Sequence, residues 1–267
     1  MPELPDLEVV KEVLQDRVIG LPVVSVEVLE PLVLRCSIED LKNLAGNRLV
    51  AITRRGKFLL FRFETNAVLV IHAMLFGRYQ LCRQNEKPKP RTCLRFRFAN
   101  DQELRYVDSS LMGKIYLVHG GDFSPIPQFN EMGPEPLQGD LTLPVFRQRL
   151  RKHRGMIKNV LTNQKFLAGI GNTYADEILF AAKILPFRQR TSLTEAETQA
   201  LYDATQTVLA QAIATIRQRI GTDIYTELRD FLQVHNKGDE PCPVCGGKIS
   251  EIKPNQRITN FCRACQK

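Results

Sequence analysis

The chain has 267 residues, 43% of them hydrophobic and 25% charged, a composition typical of a globular protein with room for two modest domains. Its net charge of +8 favours a polyanionic partner such as nucleic acid or an anionic membrane. A membrane span of about eighteen apolar residues is absent from the sequence, and no basic amphipathic helix stands out. The N-terminus is acidic and lacks the basic character of a secretory signal. We therefore expect a cytoplasmic protein that works where the genome is.

An N-terminal helix followed by a β-rich region is predicted for the first 118 residues. Asp6 is placed to be the N-cap of a helix that ends near Val18. Short β-rich runs then recur, separated by turn residues. They predict strands at residues 23–29, 48–54, 58–63, 67–71, 78–82, 92–98, 103–107 and 114–118. Many short strands at this spacing are typical of a β-sandwich or partial barrel.

The second half of the chain carries helical signals. Residues 121–140 are rich in glycine and proline and predict a linker. Thr194-x-x-Glu197 is a capping box that opens a long helix, and Gly221 predicts its end. We expect an α+β multidomain protein with an N-terminal domain at 1–120, a linker at 121–140, a helical domain at 141–223, a loop at 224–237 and a cysteine-rich domain at 238–267.

Four of the seven cysteines lie in that last segment. Cys242 and Cys245 form one C-x2-C pair, and Cys262 and Cys265 form a second after sixteen residues. This spacing predicts one structural Zn²⁺ bound by four thiolates, which leaves no open position for catalysis. Four unrelated thiols or a pair of disulfides are the alternatives. A thirty-residue tail with little core needs the metal to fold.

Arg257 lies between the two cysteine pairs. A hairpin here would project its guanidinium from a rigid loop, where the fork of N–H donors matches phosphate oxygens. A solvated surface arginine is the alternative that this segment alone leaves open.

Five strings of the sequence resemble the formamidopyrimidine-DNA glycosylase family, which also includes endonuclease VIII. They occur in the family's order, from end to end of the chain. They read PELPDLE at residues 2–8, RRGKFLL at 54–60, GPEPL at 133–137, GIGNTYADE at 169–177 and FCRACQK at 261–267. The resemblance implies an N-terminal helix and β-sandwich, a helix-two-turn-helix domain and a C-terminal zinc finger.

The resemblance also implies a bifunctional DNA glycosylase and AP lyase of base-excision repair. Its nucleophile would be the amine of Pro2 after removal of Met1, and the reaction would pass through an iminium intermediate to β,δ-elimination. An α-amino group has a pKa near 8, so far more of it is neutral at working pH than of a lysine. Glu3 takes the family's role of proton shuttle to the base and the sugar oxygen.

Three further residues match family positions that grip the DNA backbone. Lys57 follows Gly56 at a predicted turn, where its ammonium reaches a phosphate near the lesion. We expect it to be a catalytic residue together with Pro2 and Glu3. Asn172 would cap a helix that starts at Thr173, where backbone N–H groups also favour a phosphate. Arg257 matches the phosphate-gripping arginine of the family's finger. The implied partner is double-stranded DNA with a damaged base or an abasic site, bound by a monomer.

The residues that fill the gap left by a flipped base depart from the family. Family members that excise oxidised purines use a methionine, an arginine and a phenylalanine. Aligned on the glycine that ends each loop, this chain has Leu75, Ser110 and Met112. We predict that Leu75 and Met112 contact DNA, and Met74 or Phe76 are alternatives if the loop shifts. Since no arginine is available to read the orphaned base, opposite-base selectivity should be weak or unusual.

Two other segments also differ. Residues 221–227 lack a convincing match to the family's loop over 8-oxoguanine, and His235-Asn236 replaces a Tyr-Gly pair before the finger. A non-catalytic binder of damaged or structured DNA on the same scaffold is the competing hypothesis, but such a binder needs neither Pro2 nor Glu3. A zinc-ribbon protein of RNA or ribosomes explains the charge and the tail but not the N-terminus.

Overall fold

The computed structural model describes residues 1–253 and 258–267. The α-helices are α1 (Leu4–Val18), α2 (Ile38–Lys42), α3 (Leu143–Arg151), α4 (Ile157–Leu161), α5 (Asn172–Ala181) and α6 (Glu195–Ile220). Short 3-10 turns occupy Pro31–Val33 and Arg190–Ser192. Within the described residues, no helix is long and apolar enough to cross a membrane.

Two four-stranded antiparallel sheets form the N-terminal β-sandwich. The strands are β1 (Val23–Val28), β2 (Leu49–Arg55), β3 (Phe58–Phe63), β4 (Ala67–His72), β5 (Gly77–Arg83), β6 (Thr92–Phe98), β7 (Gln102–Asp108) and β8 (Lys114–His119). One sheet has the order β1-β6-β7-β5 and the other β2-β3-β4-β8. The chain crosses between the sheets after β4 and again after β7, so the loops at 73–76 and 109–113 begin where paired strands end.

The core of the sandwich is built from inward-facing aliphatic and aromatic residues of both sheets. Phe61, Tyr79 and Phe98 are among the largest fully buried side chains. Helix α1 covers this core with Leu7 and Leu14, both 0% exposed. Because successive side chains of a strand point to opposite faces, every second residue of each strand is directed into the space between the two sheets.

The start of α1 corrects one prediction. The helix begins at Leu4 with Glu3 as its N-cap, so Asp6 is not the N-cap but lies in the first turn. Pro5 occupies one of the first helical positions, where a missing N–H costs nothing because it would have had no helical acceptor. The shift brings the helix start next to Pro2.

The chain forms two compact units. One contains Met1–Asn130 with Thr215–Glu227, and the other contains Glu131–Ala214 with Leu228–Lys267. The second unit holds α3, α4, α5, most of α6 and a two-stranded hairpin of β9 (Ser250–Ile252) and β10 (Thr259–Phe261). The sandwich, the helical region and the hairpin flanked by the two cysteine pairs confirm the predicted α+β multidomain fold.

Candidate active site and zinc centre

Pro2 and Glu3 are buried at the start of α1. Glu3 is 1% exposed, and its backbone N–H donates to the Asp6 carboxylate at 2.8 Å. This contact ties the residue after Pro2 into the first helical turn and satisfies an N–H that a helix start leaves without a helical acceptor. The nitrogen of residue 2 is therefore attached to a rigid element and not to a free tail.

Lys57 lies in the turn between β2 and β3. Gly56 has a positive φ of 55°, the left-handed conformation that glycine adopts without strain. Arg54 donates to the Gly56 carbonyl at 3.0 Å and to the Glu8 carboxylate of α1 at 2.7 Å. The turn is thus braced against the helix that carries Pro2. Lys57 itself is 7% exposed, so its ammonium has a defined position.

His72 is a further residue of this site, and sequence reasoning missed it. Phe58, His72 and Lys114 are paired in register across β3, β4 and β8. Burial, with the positive charges of Lys57 and Lys114 adding to it, lowers the pKa of His72 from 6.5 to about 4. Its Nδ1 accepts a hydrogen bond from the Met74 N–H at 3.1 Å, which requires an unprotonated Nδ1. Nε2 therefore carries the proton of a neutral ring, and the imidazole is a donor beside two lysines.

Three apolar side chains are exposed on the two loops that follow β4 and β7. Leu75 is 44% exposed, Phe76 54% and Met112 46%. Two glycines pack tightly where these loops end, because a Cβ at either Gly77 or Gly113 would collide with the Tyr106 hydroxyl. Exposed large apolar residues held on braced loops are typical of a binding surface.

Ser110 lies between these apolar side chains in sequence and is held inside its own loop. Its hydroxyl donates to the Asp108 carboxylate at 2.8 Å, and its N–H donates to the same oxygen at 3.0 Å. The side chain is therefore short and also already engaged.

Asn172 lies at the start of α5. Gly171 is the N-cap, so the prediction that Asn172 caps a helix starting at Thr173 is wrong by one residue. Its Nδ2 donates to the Ile258 carbonyl at 2.6 Å, and its Oδ1 is buried with no hydrogen-bond partner among the described residues. The amide thus links α5 to the finger hairpin. Arg257 lies outside the described residues.

A buried polar cluster also joins α5 to the finger. Asp176 is 1% exposed and contacts Lys158 Nζ at 2.6 Å and His235 Nδ1 at 2.8 Å. The Asn260 N–H donates to the same carboxylate at 3.2 Å. The neighbouring Glu177 accepts backbone N–H groups of residues 233–235 at 2.8–2.9 Å.

This cluster was missed from the sequence. His235 belongs to no motif of the sequence, and its partner Asp176 lies 59 residues away. The adjacent acidic pair inside an apolar helix, Asp176 and Glu177, was the available signal, since buried carboxylates need partners.

The four finger cysteines converge as the spacing predicted. Their Sγ atoms all lie within 4.8 Å of one another. The separations from Cys242 to Cys265 and from Cys245 to Cys262 are 3.8 and 3.5 Å. Tetrahedral Zn–S bonds of about 2.3 Å place sulfurs about 3.8 Å apart, whereas a disulfide needs about 2.05 Å. The geometry fits one structural Zn²⁺ and excludes the disulfide alternative in this structure.

Comparison with known proteins covers nearly the whole chain. Residues 1–115 match the formamidopyrimidine-DNA glycosylase N-terminal domain, 132–223 the H2TH domain of the same enzyme and 239–267 a zinc finger found in FPG and IleRS. Formamidopyrimidine-DNA glycosylases of Pelotomaculum thermopropionicum and Listeria innocua are 36% and 35% identical over 100% of this chain and 99% and 100% of theirs.

Solved structures agree with these sequence matches. Lactococcus lactis Fpg bound to DNA with an abasic site has a TM-score of 0.91 and 33% identity, covering 99% of both chains. The same protein bound to DNA with Fapy-dG has a TM-score of 0.90 and 33% identity, covering 99% of this chain and 100% of that one.

The fold and the thiolate site thus define a zinc-finger DNA-repair enzyme. The chain belongs to the formamidopyrimidine-DNA glycosylase family, whose members are bifunctional DNA glycosylases and AP lyases of base-excision repair.

Proposed function

We propose that this enzyme removes oxidised or ring-opened bases from double-stranded DNA and cuts the strand at the resulting abasic site. Relatives crystallised with abasic-site and Fapy-dG DNA support this substrate class. The observation that carries the mechanism is the pairing of Pro2 with the buried Glu3 at the rigid start of α1.

Pro2 is the proposed nucleophile once Met1 is removed. Its neutral secondary amine attacks C1′ of the damaged nucleotide, and the base leaves with the electrons of the glycosidic bond and a proton from the nitrogen. Opening of the C1′–O4′ bond then gives a cationic iminium between Pro2 and the sugar. The cation is an electron sink, so loss of a C2′ proton expels the 3′ phosphate, and a second elimination expels the 5′ phosphate.

Glu3 is the proposed proton shuttle. It follows the nucleophile directly in the chain and is 1% exposed, so its carboxyl group is close to the amine and largely shielded from solvent. The protonated carboxyl group gives its proton to O4′ as the ring opens. The resulting carboxylate can then accept the C2′ proton that is lost in the elimination. A positioned acid or base of this kind accelerates a reaction by about 10²–10⁴-fold.

Contacts to the DNA backbone are proposed separately for each compact unit of the protein. In the sandwich unit, Lys57 supplies a cation and His72 a neutral N–H donor, which together suit one phosphate. In the other unit, Asn172 and the backbone N–H groups at the start of α5 suit a second phosphate of the DNA. Arg257 is proposed to bind this second phosphate as well.

Leu75 and Met112 are the proposed contacts to the DNA stack. Both are exposed and apolar, as Phe76 is beside them. They can fill the volume of a flipped base but offer no donor or acceptor to a base edge. We infer that they support opening of the helix without selecting the opposite base.

We also infer the boundaries 1–120, 121–140, 141–223, 224–237 and 238–267 as functional divisions of the chain. A monomer in the cytoplasm, acting on the genome, is the form expected to carry the activity. A non-catalytic binder on this scaffold is the weaker hypothesis because it gives no role to Pro2 and Glu3.

Borohydride trapping tests the proposal. The enzyme is incubated with duplexes carrying ring-opened guanine, hydantoin, 8-oxoguanine or an abasic site, and borohydride reduces any iminium to a stable adduct. We expect adducts on the abasic and ring-opened duplexes, with the sugar mapped to Pro2 by peptide analysis. Tight binding without any adduct would favour the non-catalytic binder, and an adduct on a lysine would contradict the assignment of Pro2.

A further inference from the structure

The segment at residues 221–227 is fixed to the β-sandwich unit by three separate contacts. Ile224 is 3% exposed and belongs to the sandwich core. Lys89 Nζ lies 4.5 Å from the centre of the Tyr225 ring, within the range of a cation–π interaction. The Asp223 carboxylate stabilises the turn of this segment by accepting hydrogen bonds from the Tyr225 N–H and the Thr226 hydroxyl.

The third contact is an ion pair of Glu227. Its Oε2 lies 2.8 Å from Arg78 on β5, and its Oε1 lies 3.7 Å from the terminal nitrogen of Met1. The Glu227 side chain is 19% exposed, so this charge is only partly screened by solvent. A carboxylate held by an arginine of a rigid strand therefore faces the N-terminus.

We propose that Glu227 is a positioning residue that holds the positively charged nitrogen of the processed N-terminus. The inference rests on the proposed role of Pro2. Removal of Met1 moves the terminal nitrogen by no more than about 3.6 Å, the maximal reach of one residue. With 3.7 Å between Glu227 Oε1 and the Met1 nitrogen, the Pro2 nitrogen then lies at most about 7.3 Å from the carboxylate. At that distance the carboxylate still attracts the positive charge, which is present before attack on the ammonium and afterwards on the iminium.

The same placement affects protonation of the amine. A nearby opposite charge favours the charged form, so Glu227 raises the pKa of the Pro2 amine. Glu3 and Asp6 add negative charge from α1, and Asp6 is already engaged by the Glu3 N–H. Arg78 opposes them with a positive charge, but it is engaged by Oε2 of Glu227.

The test measures the amine directly and without DNA. Intact mass first establishes that Met1 is absent, and Pro2 is then methylated with formaldehyde and cyanoborohydride over a range of pH. The rate of methylation follows the neutral amine. In Glu227→Gln we expect the apparent pKa of the amine to fall by about half a unit or more. Glu227→Asp keeps the negative charge, so the apparent pKa of its amine should remain close to that of the parent protein.

Asp223→Asn is the matched control because it removes one negative charge from the same segment. We expect no shift, since the Asp223 carboxylate is engaged within its own turn. A pKa in Glu227→Gln equal to that of the parent or of Asp223→Asn would overturn the proposal. So would a rate lowered equally at every pH, which would make Glu227 only an anchor of the segment.

These outcomes are independent of strand cutting. If the shift occurs but Pro2 forms no adduct with DNA, the proposed nucleophile fails while the placement of Glu227 stands. If Glu227→Gln does not fold, as judged by zinc content and circular dichroism, the comparison of Glu227→Asp with Glu227→Ala decides. Loss of the carboxylate should lower the amine pKa and the conservative change should not, and an unaltered pKa in Glu227→Ala would overturn the proposal.

Discussion

His72 lies directly opposite Lys114 in the antiparallel pairing of β4 and β8. Such cross-strand neighbours have Cβ atoms about 5 Å apart, so the lysine charge acts on the imidazole at short range. Together with burial and Lys57, it keeps the ring neutral. The consequence is a histidine that stays a neutral donor throughout the physiological pH range.

The first prediction is a pH dependence of stability that comes from His72. Its pKa is about 4 in the folded chain and 6.5 without the fold. Above pH 6.5 both states are neutral, and as the pH falls towards 4 the unfolded chain takes up the proton first. The free energy of unfolding should therefore decrease over this window, by at most about 3 kcal/mol.

His72→Asn removes this titration and keeps an oxygen that accepts from the Met74 N–H. Urea denaturation at pH 7.5 and 4.5 measures the loss of stability in both proteins. We expect a smaller loss in the variant. Equal losses would show that His72 does not titrate differently on folding.

The second prediction separates Glu3 from Pro2. Glu3→Gln should slow base removal by about 10²-fold or more, because a protonating group is lost. A preformed abasic site has no base to expel, so trapping there should decline less. Single-turnover assays on a ring-opened lesion and on an abasic duplex measure how much Glu3→Gln lowers the rate on each substrate. Equal losses on the two substrates would argue against a shuttle to the departing base.

The third prediction concerns the amine itself. Pro2→Gly in a chain that retains Met1 should lose both trapping and strand cutting, since the secondary amine is absent and residue 2 is acylated. The measurement is adduct yield on abasic DNA, with binding of uncleaved duplex as the control for folding. Undiminished cutting would reject Pro2 as nucleophile.

The fourth prediction concerns zinc. Cys245→Ser should lower the metal content from about one zinc per chain and weaken DNA binding before it disturbs the sandwich. The two halves of the cluster come from separate knuckles, and loss of one thiolate opens the tetrahedron. Cys82→Ser in β5 is the matched control and should retain the metal. Full DNA binding by a zinc-free protein would contradict the structural role.

Lys57 and Asn172 lead to a fifth prediction because they differ in charge. Lys57→Gln should weaken DNA binding and lower the slope of log affinity against log salt by about one, as one phosphate contact releases one counterion. Asn172→Ala should weaken binding by about fivefold with an unchanged slope, since a neutral hydrogen bond contributes about 1 kcal/mol. Fluorescence anisotropy at several salt concentrations distinguishes them. Equal slopes in both variants would remove Lys57 from the phosphate contacts.

Local patterns explain what the sequence predicted well. The cysteine spacing fixed the metal site because each C-x2-C pair closes within one turn. Thr194 and Glu197 form the predicted capping box, with reciprocal contacts from the Thr194 N–H at 2.8 Å and the Glu197 N–H at 3.2 Å. The two cysteines of each pair, like Thr194 and Glu197, lie three positions apart, so each of these patterns is local in the sequence.

The missed features depend on pairing between distant segments. His72 meets Lys114 only through the register of two strands about forty residues apart, and no periodicity in either strand encodes that register. Arg78 meets Glu227 across 149 positions of the chain. The helix start at Leu4 was missed for a different reason, because Asp6 is a good N-cap by type but its carboxylate serves the Glu3 N–H.

We expect specificity to depend on the two exposed loops of the sandwich. Flipping a base costs a few kcal/mol of stacking and pairing, part of which inserted side chains recover. A bidentate arginine contact would add about 1–3 kcal/mol of discrimination between opposite bases. Ser110 cannot supply it, since its hydroxyl is engaged by Asp108, and Leu75 and Met112 have no suitable donors.

The last prediction is that activity is highest where opening of the helix is already easy. Abasic sites, single strands and distorting lesions such as ring-opened or hydantoin bases should be cut fastest, with little dependence on the opposite base. An 8-oxoguanine paired with cytosine stacks well and should be a poor substrate. Single-turnover cleavage of each lesion opposite all four bases measures this, and Phe76→Ala reports whether the neighbouring aromatic assists opening. Fast excision of 8-oxoguanine from a cytosine pair, with strong discrimination against adenine, would mean that another residue reads the orphaned base.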